Sequence, residues 1–256
     1  MCRLAAYVGG ALPLSTLLFD RAHGLSEQAY APRELVRGNV NVDGTGIAWW
    51  DATHAEPLVY VTSAPPWGDV NLERIMPKLT STTHIAAVRS ATPGLAFGPD
   101  HVSPFVHNRL AGAHNGWIEG FRGAIGQSLI GSLPGDVFSS MSVMNDSQTL
   151  FLLAAMKYEE TASLEQSLRH ALRTVRNACR DHNASAALNL VLGDRAAIIG
   201  CRFSVGAEQN SLYTSVQDAG RFLASEPLDD HTWERVPESH FALVSRDGIS
   251  VAPIDL

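Results

Sequence analysis

Residues 145–182 read NDSQTLFLLAAMKYEETASLEQSLRHALRTVRNACRDH, and their periodicity decides the fold class. Leu150 to Tyr158 is an apolar run of helical length, with Asn145 or Asp146 placed to cap its start. A second helix begins at Ser163, where Gln166 completes a capping-box pattern. Its apolar stripe is Leu164, Leu168, Ala171, Leu172, Val175 and Ala178. Arg169, Arg173, Arg176 and Arg180 lie off that stripe and read as a solvated face.

Outward from this helical pair the pattern changes to short apolar runs between turn residues. On the N-terminal side these are Leu4–Val8, Ile47–Trp50, Leu58–Val61, Ile85–Val88 and Leu110–Ala113, with a weaker helix over Val70–Leu79. On the C-terminal side they are Ala187–Leu192, Ala196–Cys201, Leu212–Ser215, Phe222–Ala224, Phe241–Val244 and Ile249–Val251. Gly193–Asp194 and Asp247–Gly248 are turn signals between neighbouring runs, which suggests antiparallel pairing. Strands, two central helices, then strands suit a layered α+β domain rather than alternating β-α units. No repeat, low-complexity stretch or linker divides the chain, so residues 2–256 are read as one domain.

The 256 residues are 45% hydrophobic and 18% charged, enough to bury a sizeable core. The net charge is −7 and no basic run stands out, which speaks against nucleic acid and anionic membranes as partners. No apolar stretch approaches the ~20 residues that span a bilayer. The N-terminus has no charged region followed by an apolar run, so no signal peptide is expected. Three cysteines, Cys2, Cys179 and Cys201, form neither a disulfide framework nor a metal spacing, and a cytoplasmic location is the expectation. Cys179 and Cys201 fall in a helix and a strand and read as buried structural thiols.

Four segments carry possible chemistry. The initiator Met is generally removed before a small residue, which would leave Cys2 with its thiol and a free α-amino group on one residue. Such an amine titrates near ~7.7–8.0 and a thiol near ~8.5, so one residue can supply both nucleophile and base. Asn41-Val42-Asp43-Gly44-Thr45-Gly46 precedes the strand at Ile47 and is also an ordinary glycine turn. Val88-Arg89-Ser90-Ala91-Thr92 ends an apolar strand, where an arginine can grip a carboxylate by two prongs or simply face solvent. His114-Asn115-Gly116 follows the strand Leu110–Ala113; its amide and backbone N–H could form an oxyanion hole, or the pair could be an Asn-Gly hairpin turn.

Together these segments resemble the class II glutamine amidotransferases, N-terminal-nucleophile hydrolases with an Arg-x-x-Thr strand end, a His-Asn-Gly segment and an Asp-Ser helix start, here Asp146-Ser147. More narrowly, the chain is similar to the γ-glutamyl hydrolases of ergothioneine biosynthesis. Met1-Cys2-Arg3, Tyr30-Ala31-Pro32-Arg33, Trp67-Gly68-Asp69, Val88 to Thr92 and Ala224-Ser225-Glu226-Pro227 carry that likeness in order. Thr45 stands where that family usually has tryptophan, and the stretch from Phe121 to Met144 looks longer than in the relatives.

The resemblance implies a four-layer αββα sandwich of two antiparallel sheets. It implies hydrolysis of a γ-glutamyl amide through a thioester on Cys2, with Asn115 and Gly116 holding the oxyanion. It assigns the substrate's α-carboxylate to Arg89 and Thr92, its α-ammonium to Asp146, and loop support to Asn41, Asp43 and Gly44. No cofactor or metal is expected, because the histidines, His101, His107 and His114 included, show no ligand spacing. The expected partner is a small γ-glutamyl molecule, with a homo-oligomer or a synthase receiving ammonia also open. Trp49, Trp50, Trp67 and Trp117 read either as core or as a lining for an aromatic or cationic part of the substrate.

Overall fold

The computed structural model describes residues 2–34, 40–91 and 97–256. Thr92 falls outside these, so its expected contact with substrate is not described. In chain order the elements are β1 (Arg3–Pro13), α1 (Ser15–Leu18), α2 (Leu25–Tyr30), β2 (Thr45–Trp49), β3 (Leu58–Thr62), α3 (Val70–Ile75) and β4 (Thr80–Val88). Then follow β5 (Phe105–His107), β6 (Leu110–Ile118), α4 (Ala124–Gly131), α5 (Gly135–Ser139), α6 (Asp146–Thr161) and α7 (Leu164–His182). The chain closes with β7 (Ala186–Gly193), β8 (Ala197–Val205), β9 (Tyr213–Gln217), β10 (Gly220–Ala224), β11 (Glu234–Arg235), β12 (His240–Ser245) and β13 (Ile249–Pro253).

Two sheets result. The first has seven strands in the order β11-β9-β10-β1-β4-β2-β3, and the second six in the order β13-β12-β8-β7-β6-β5. Neighbours pair antiparallel throughout. Side chains alternate between the faces of a strand, and both faces of the central strands are covered. On β1, Leu4, Ala6 and Val8 pack between the sheets against Ala111, Ala113, Val191 and Ile198 of the second sheet. Ala5 and Tyr7 face the other way, onto Leu17, Leu18, Leu25, Ala29 and Leu72 of the short helices. This is why Leu4–Val8 is apolar without a break. The outer face of the second sheet, including Leu188, Leu190 and Leu192, packs on α6 and α7. The layers therefore run helix, sheet, sheet, helix, as the resemblance implied.

The helical pair forms where periodicity places it. The Asn145 side chain caps α6 by accepting from the Gln148 N–H at 2.7 Å. The Ser163 hydroxyl caps α7 by accepting from the Gln166 N–H at 3.3 Å. The reciprocal half of the capping box is replaced: the Ser163 N–H donates to the Thr161 hydroxyl. Every residue of the α7 stripe is buried.

Its arginine face is not merely solvated. Arg169 pairs with Glu165 and donates to the carbonyls of Pro253 and Asp255, and Arg176 donates to that of Leu256. The Phe121–Met144 stretch contains α4 and α5. Among the described residues, no helix is long and apolar enough to cross a membrane.

Candidate active site

The apolar layer between the sheets ends in polar residues at one end, and strand alternation says which. The inward series Leu4, Ala6, Val8 of β1 extends back to Cys2, and Ile85, Ala87 of β4 extends on to Arg89. Arg3 pairs with Val88, so Cys2 and Arg89 stand at the next rung of the β1–β4 ladder. On the facing sheet, Ala111 and Ala113 lead to Asn115 on β6, and Val191 leads back to Asn189 on β7, its cross-strand partner.

A hydrogen-bond chain ties the two sheets at this end. The Leu4 N–H donates to the Ser225 hydroxyl, and the Ser211 hydroxyl donates to the Ser225 carbonyl. Asn189 Nδ2 donates to the carbonyls of Ser211 and Asn210, and Asn210 Nδ2 donates to the Asn115 carbonyl at 2.9 Å.

His114-Asn115-Gly116 is not a turn. The three residues lie inside β6, which continues to Ile118 and pairs with β7 through all of them. Asn115 is 0% exposed, and neither its Oδ1 nor its Nδ2 has a hydrogen-bond partner among the described residues. A buried amide left unpaired costs about 1–3 kcal/mol, so this side chain is held ready at the expense of stability. At position 116 a Cβ would overlap the Ala187 carbonyl oxygen and His114 Nε2, so glycine is sterically required. His114 faces the helices, with Nδ1 3.0 Å from the Ser147 hydroxyl and Nε2 3.3 Å from the Ala187 carbonyl. Burial, opposed by the charge of Asp146, pushes its pKa down and so favours a neutral ring.

Arg89 is 7% exposed and sits in a backbone clasp. Its N–H donates to the Gly44 carbonyl at 2.8 Å, and its carbonyl accepts from the Asp43 N–H at 3.0 Å. The Asp43 carboxylate accepts from the Ala91 N–H at 2.7 Å. Gly44 has φ +145°, and a Cβ there would overlap Val102. Asn41 is buried and ties the loop to α2 through the carbonyls of Gln28 and Ala29. Thr45 is buried and its hydroxyl donates to the Ala64 carbonyl.

Asp146 is the first residue of α6, with Asn145 as the cap. Its carboxylate accepts from the Ile118 N–H at 3.1 Å and from the Ser147 N–H at 2.8 Å, fixing the helix start to the end of β6. The structure thus brings Cys2, Arg89 and Asn115 to one end of the inter-sheet layer. It places Asp43 and Gly44 around Arg89, and sets Asp146 beside the far end of the Asn115 strand. Of the tryptophans, Trp50 is buried in the inter-sheet core, while Trp67 is half-exposed and meets Tyr30 edge-on at 5.4 Å.

Sequence reasoning assigned no role to a second group beside Cys2. The Glu226 carboxylate is 0% exposed and pairs with Arg3 at 2.9 Å and with His23 Nε2 at 3.0 Å. It also accepts the backbone N–H groups of Arg33 and Glu34. Burial alone would raise its pKa, but the bonds from His23 and Arg33, the charge of Arg3 and the Glu34 N–H hold it at about 2. A charged residue two positions after the apolar run Phe222–Ala224, and an arginine directly before Leu4–Val8, were the available signals.

No protein-family model matches the chain. The chain is 28% identical to γ-glutamyl-hercynylcysteine sulfoxide hydrolase of Mycobacterium tuberculosis, over 100% of this chain and 97% of that one. It is 29% identical to the protein of the same name from Mycolicibacterium smegmatis, over 99% and 100%. In structure it is similar to a glutamine aminotransferase class-II domain protein from Silicibacter pomeroyi, with TM-score 0.75, 22% identity and full coverage of both chains. It is also similar to glutamine phosphoribosylpyrophosphate amidotransferase from B. subtilis, with TM-score 0.64 and 16% identity, over all of this chain and 50% of that one. The two-sheet sandwich is the fold of these amidotransferases.

Proposed function

We propose that this chain, built on the class II glutamine amidotransferase fold and related along its length to γ-glutamyl hydrolases, is a free-standing γ-glutamyl amide hydrolase. The observation that carries the reading is Asn115: a fully buried amide with both polar atoms unpartnered, on the inter-sheet face and at the end where Cys2 and Arg89 lie.

The reaction begins once Met1 is removed. The Cys2 α-amine accepts the thiol proton and the sulfur attacks the γ-carbonyl carbon. The oxyanion of the tetrahedral adduct is held by Asn115 Nδ2 and the Gly116 N–H, an arrangement worth roughly 3–4 kcal/mol per donor in other hydrolases. The C–N bond breaks as the leaving amine takes the proton, leaving a γ-glutamyl thioester. Water adds to the thioester with the same amine as base, glutamate departs and the thiol is restored. Arg89 grips the α-carboxylate, with Thr92 at the same end, and Asp146 takes the α-ammonium. Fixing both charged ends orients the carbonyl at the sulfur. The leaving group is a metabolite of the kind named for the mycobacterial relatives, a hercynylcysteine sulfoxide or a close analogue.

A second reading is a glutaminase that delivers ammonia to a separate synthase. What favours it is the chain's match to half of the longer B. subtilis amidotransferase. The test is intact mass before and after a diazo-ketone analogue of glutamine, followed by a panel of γ-glutamyl amides. Loss of Met1, one adduct on Cys2 and turnover of the panel by the protein alone support the hydrolase. Slow turnover that accelerates only with a partner supports the glutaminase. Retained Met1 without an adduct points to a silent γ-glutamyl-binding protein.

A further inference from the structure

In the reading above, the nucleophile lies one residue ahead of the first paired residue of β1, since the ladder to β4 begins at Arg3–Val88. With Met1 removed, Cys2 is the chain end, and chain ends fray unless something ties them down. A displacement of ~1 Å at a reacting group can cost 10²-fold in rate. Three successive residues here are gripped from the segment after β10. Leu4 is held at both backbone groups, its N–H donating to the Ser225 hydroxyl at 3.1 Å and its carbonyl accepting from the Ser225 N–H at 2.9 Å. Arg3 Nη1 is held by Glu226 Oε1 at 2.9 Å. Arg3 Nε in turn donates to the Cys2 carbonyl at 2.9 Å.

The carboxylate behind this grip is itself immobilised. Glu226 Oε2 meets His23 Nε2 at 3.0 Å and the Arg33 N–H at 2.9 Å, while Oε1 also accepts the Glu34 N–H at 3.0 Å. Arg3 and Glu226 are both 0% exposed. A well-packed apolar pair of similar volume commonly serves stability as well as a buried ion pair does. What an apolar pair cannot do is donate a hydrogen bond to the Cys2 carbonyl.

From this we infer that Glu226, acting through Arg3, is a positioning residue that fixes the Cys2 carbonyl and thereby the thiol and amine of the terminal residue. It indexes the segment at Arg33–Glu34 to the same carboxylate. The inference rests on Cys2 being the nucleophile.

The test measures the rate at which 6-diazo-5-oxonorleucine labels Cys2, alongside kcat and KM on a γ-glutamyl anilide. It compares the wild type, Cys2→Ala, the double variant Arg3→Met/Glu226→Gln and the single variant Arg3→Lys, each verified by intact mass as lacking Met1. In the folded double variant the maximal labelling rate and kcat fall at least 10-fold, while KM and the reagent's half-saturation move less than 3-fold. Arg3→Lys keeps a cation beside Glu226 and loses the Nε–H donor; it shows the same kcat loss with an unchanged melting temperature, and it decides the matter if the double variant does not fold. Wild-type labelling and kcat in a folded, Met1-free variant overturn the inference alone. No labelling of the wild type overturns the nucleophile reading instead.

Discussion

Asn115 and Asn189 stand opposite each other on β6 and β7, both turned toward the other sheet and both at most 1% exposed. Asn189 spends its Nδ2 on the carbonyls of Asn210 and Ser211, whereas Asn115 spends neither side-chain atom. The first is structural and the second is held open. Asn115→Ala should therefore lower kcat by about 10²–10³-fold, the loss expected for one oxyanion donor. The melting temperature should not fall, because an unsatisfied buried amide is removed along with the side chain. Steady-state kinetics and a thermal melt on one preparation check both halves.

In the proposed reaction Arg89 takes the α-carboxylate by its fork, not only by charge. Arg89→Lys should lose at least ~10-fold in kcat/KM, and Arg89→Ala more, since a point charge does not replace a bidentate contact. The sharper measurement compares a γ-glutamyl amide with its analogue lacking the α-carboxylate. The wild type should prefer the former, and the alanine variant should treat the two alike.

Gly116→Ala should be a folding variant before it is a catalytic one. The added Cβ meets the Ala187 carbonyl of the neighbouring strand, which cannot rotate away. Overpacking of this kind costs about 1–3 kcal/mol or more. Urea denaturation followed by circular dichroism gives the figure.

Glu226 sets an acid limb of stability. Its carboxyl is held at about 2 in the folded protein against the ordinary ~4.3 of the unfolded chain. A depressed carboxylate contributes stability that is complete above the unfolded value and is lost as pH falls through the folded one. Between pH ~5 and ~2 the wild type should lose up to about 3 kcal/mol from this group. Glu226→Gln should be less stable at pH 7 and should show a shallower decline over that window.

The thiols should divide one against two. Burial pushes Cys179 up to about 11 and Cys201 up to about 12, and both are buried. At pH 8 a disulfide-exchange reagent should titrate about one thiol rapidly in the native protein, lost in Cys2→Ala, and all three in denaturant.

The long elements were legible because their residues obey a single period: the α7 stripe, the unbroken Leu4–Val8 run, the alternation that ends at Arg89. The short ones were not. β5, β11, α1 and α2 span only a few residues each, and contacts made elsewhere in the fold stabilise them rather than their own pattern. His114-Asn115-Gly116 has turn-forming chemistry, yet it stays extended because β7 pairs with it residue for residue and only glycine fits at 116. The residues of the candidate site were visible as separate motifs, but their common face followed only from register. Glu226 could not be placed from sequence, because its partners Arg3, His23, Arg33 and Glu34 lie about two hundred positions away along the chain.

Two arginines of α7, Arg169 and Arg176, carry one more consequence. By holding the carbonyls of Pro253, Asp255 and Leu256, they make the last residues a seam that closes the outer helical layer over the second sheet. Ile254 lies within that seam and is buried in the core beneath it. Residues 253–256 therefore act as a fastener between α7 and the second sheet. Replacing Arg169 and Arg176 by Ala should loosen α7 from its sheet and lower the melting temperature.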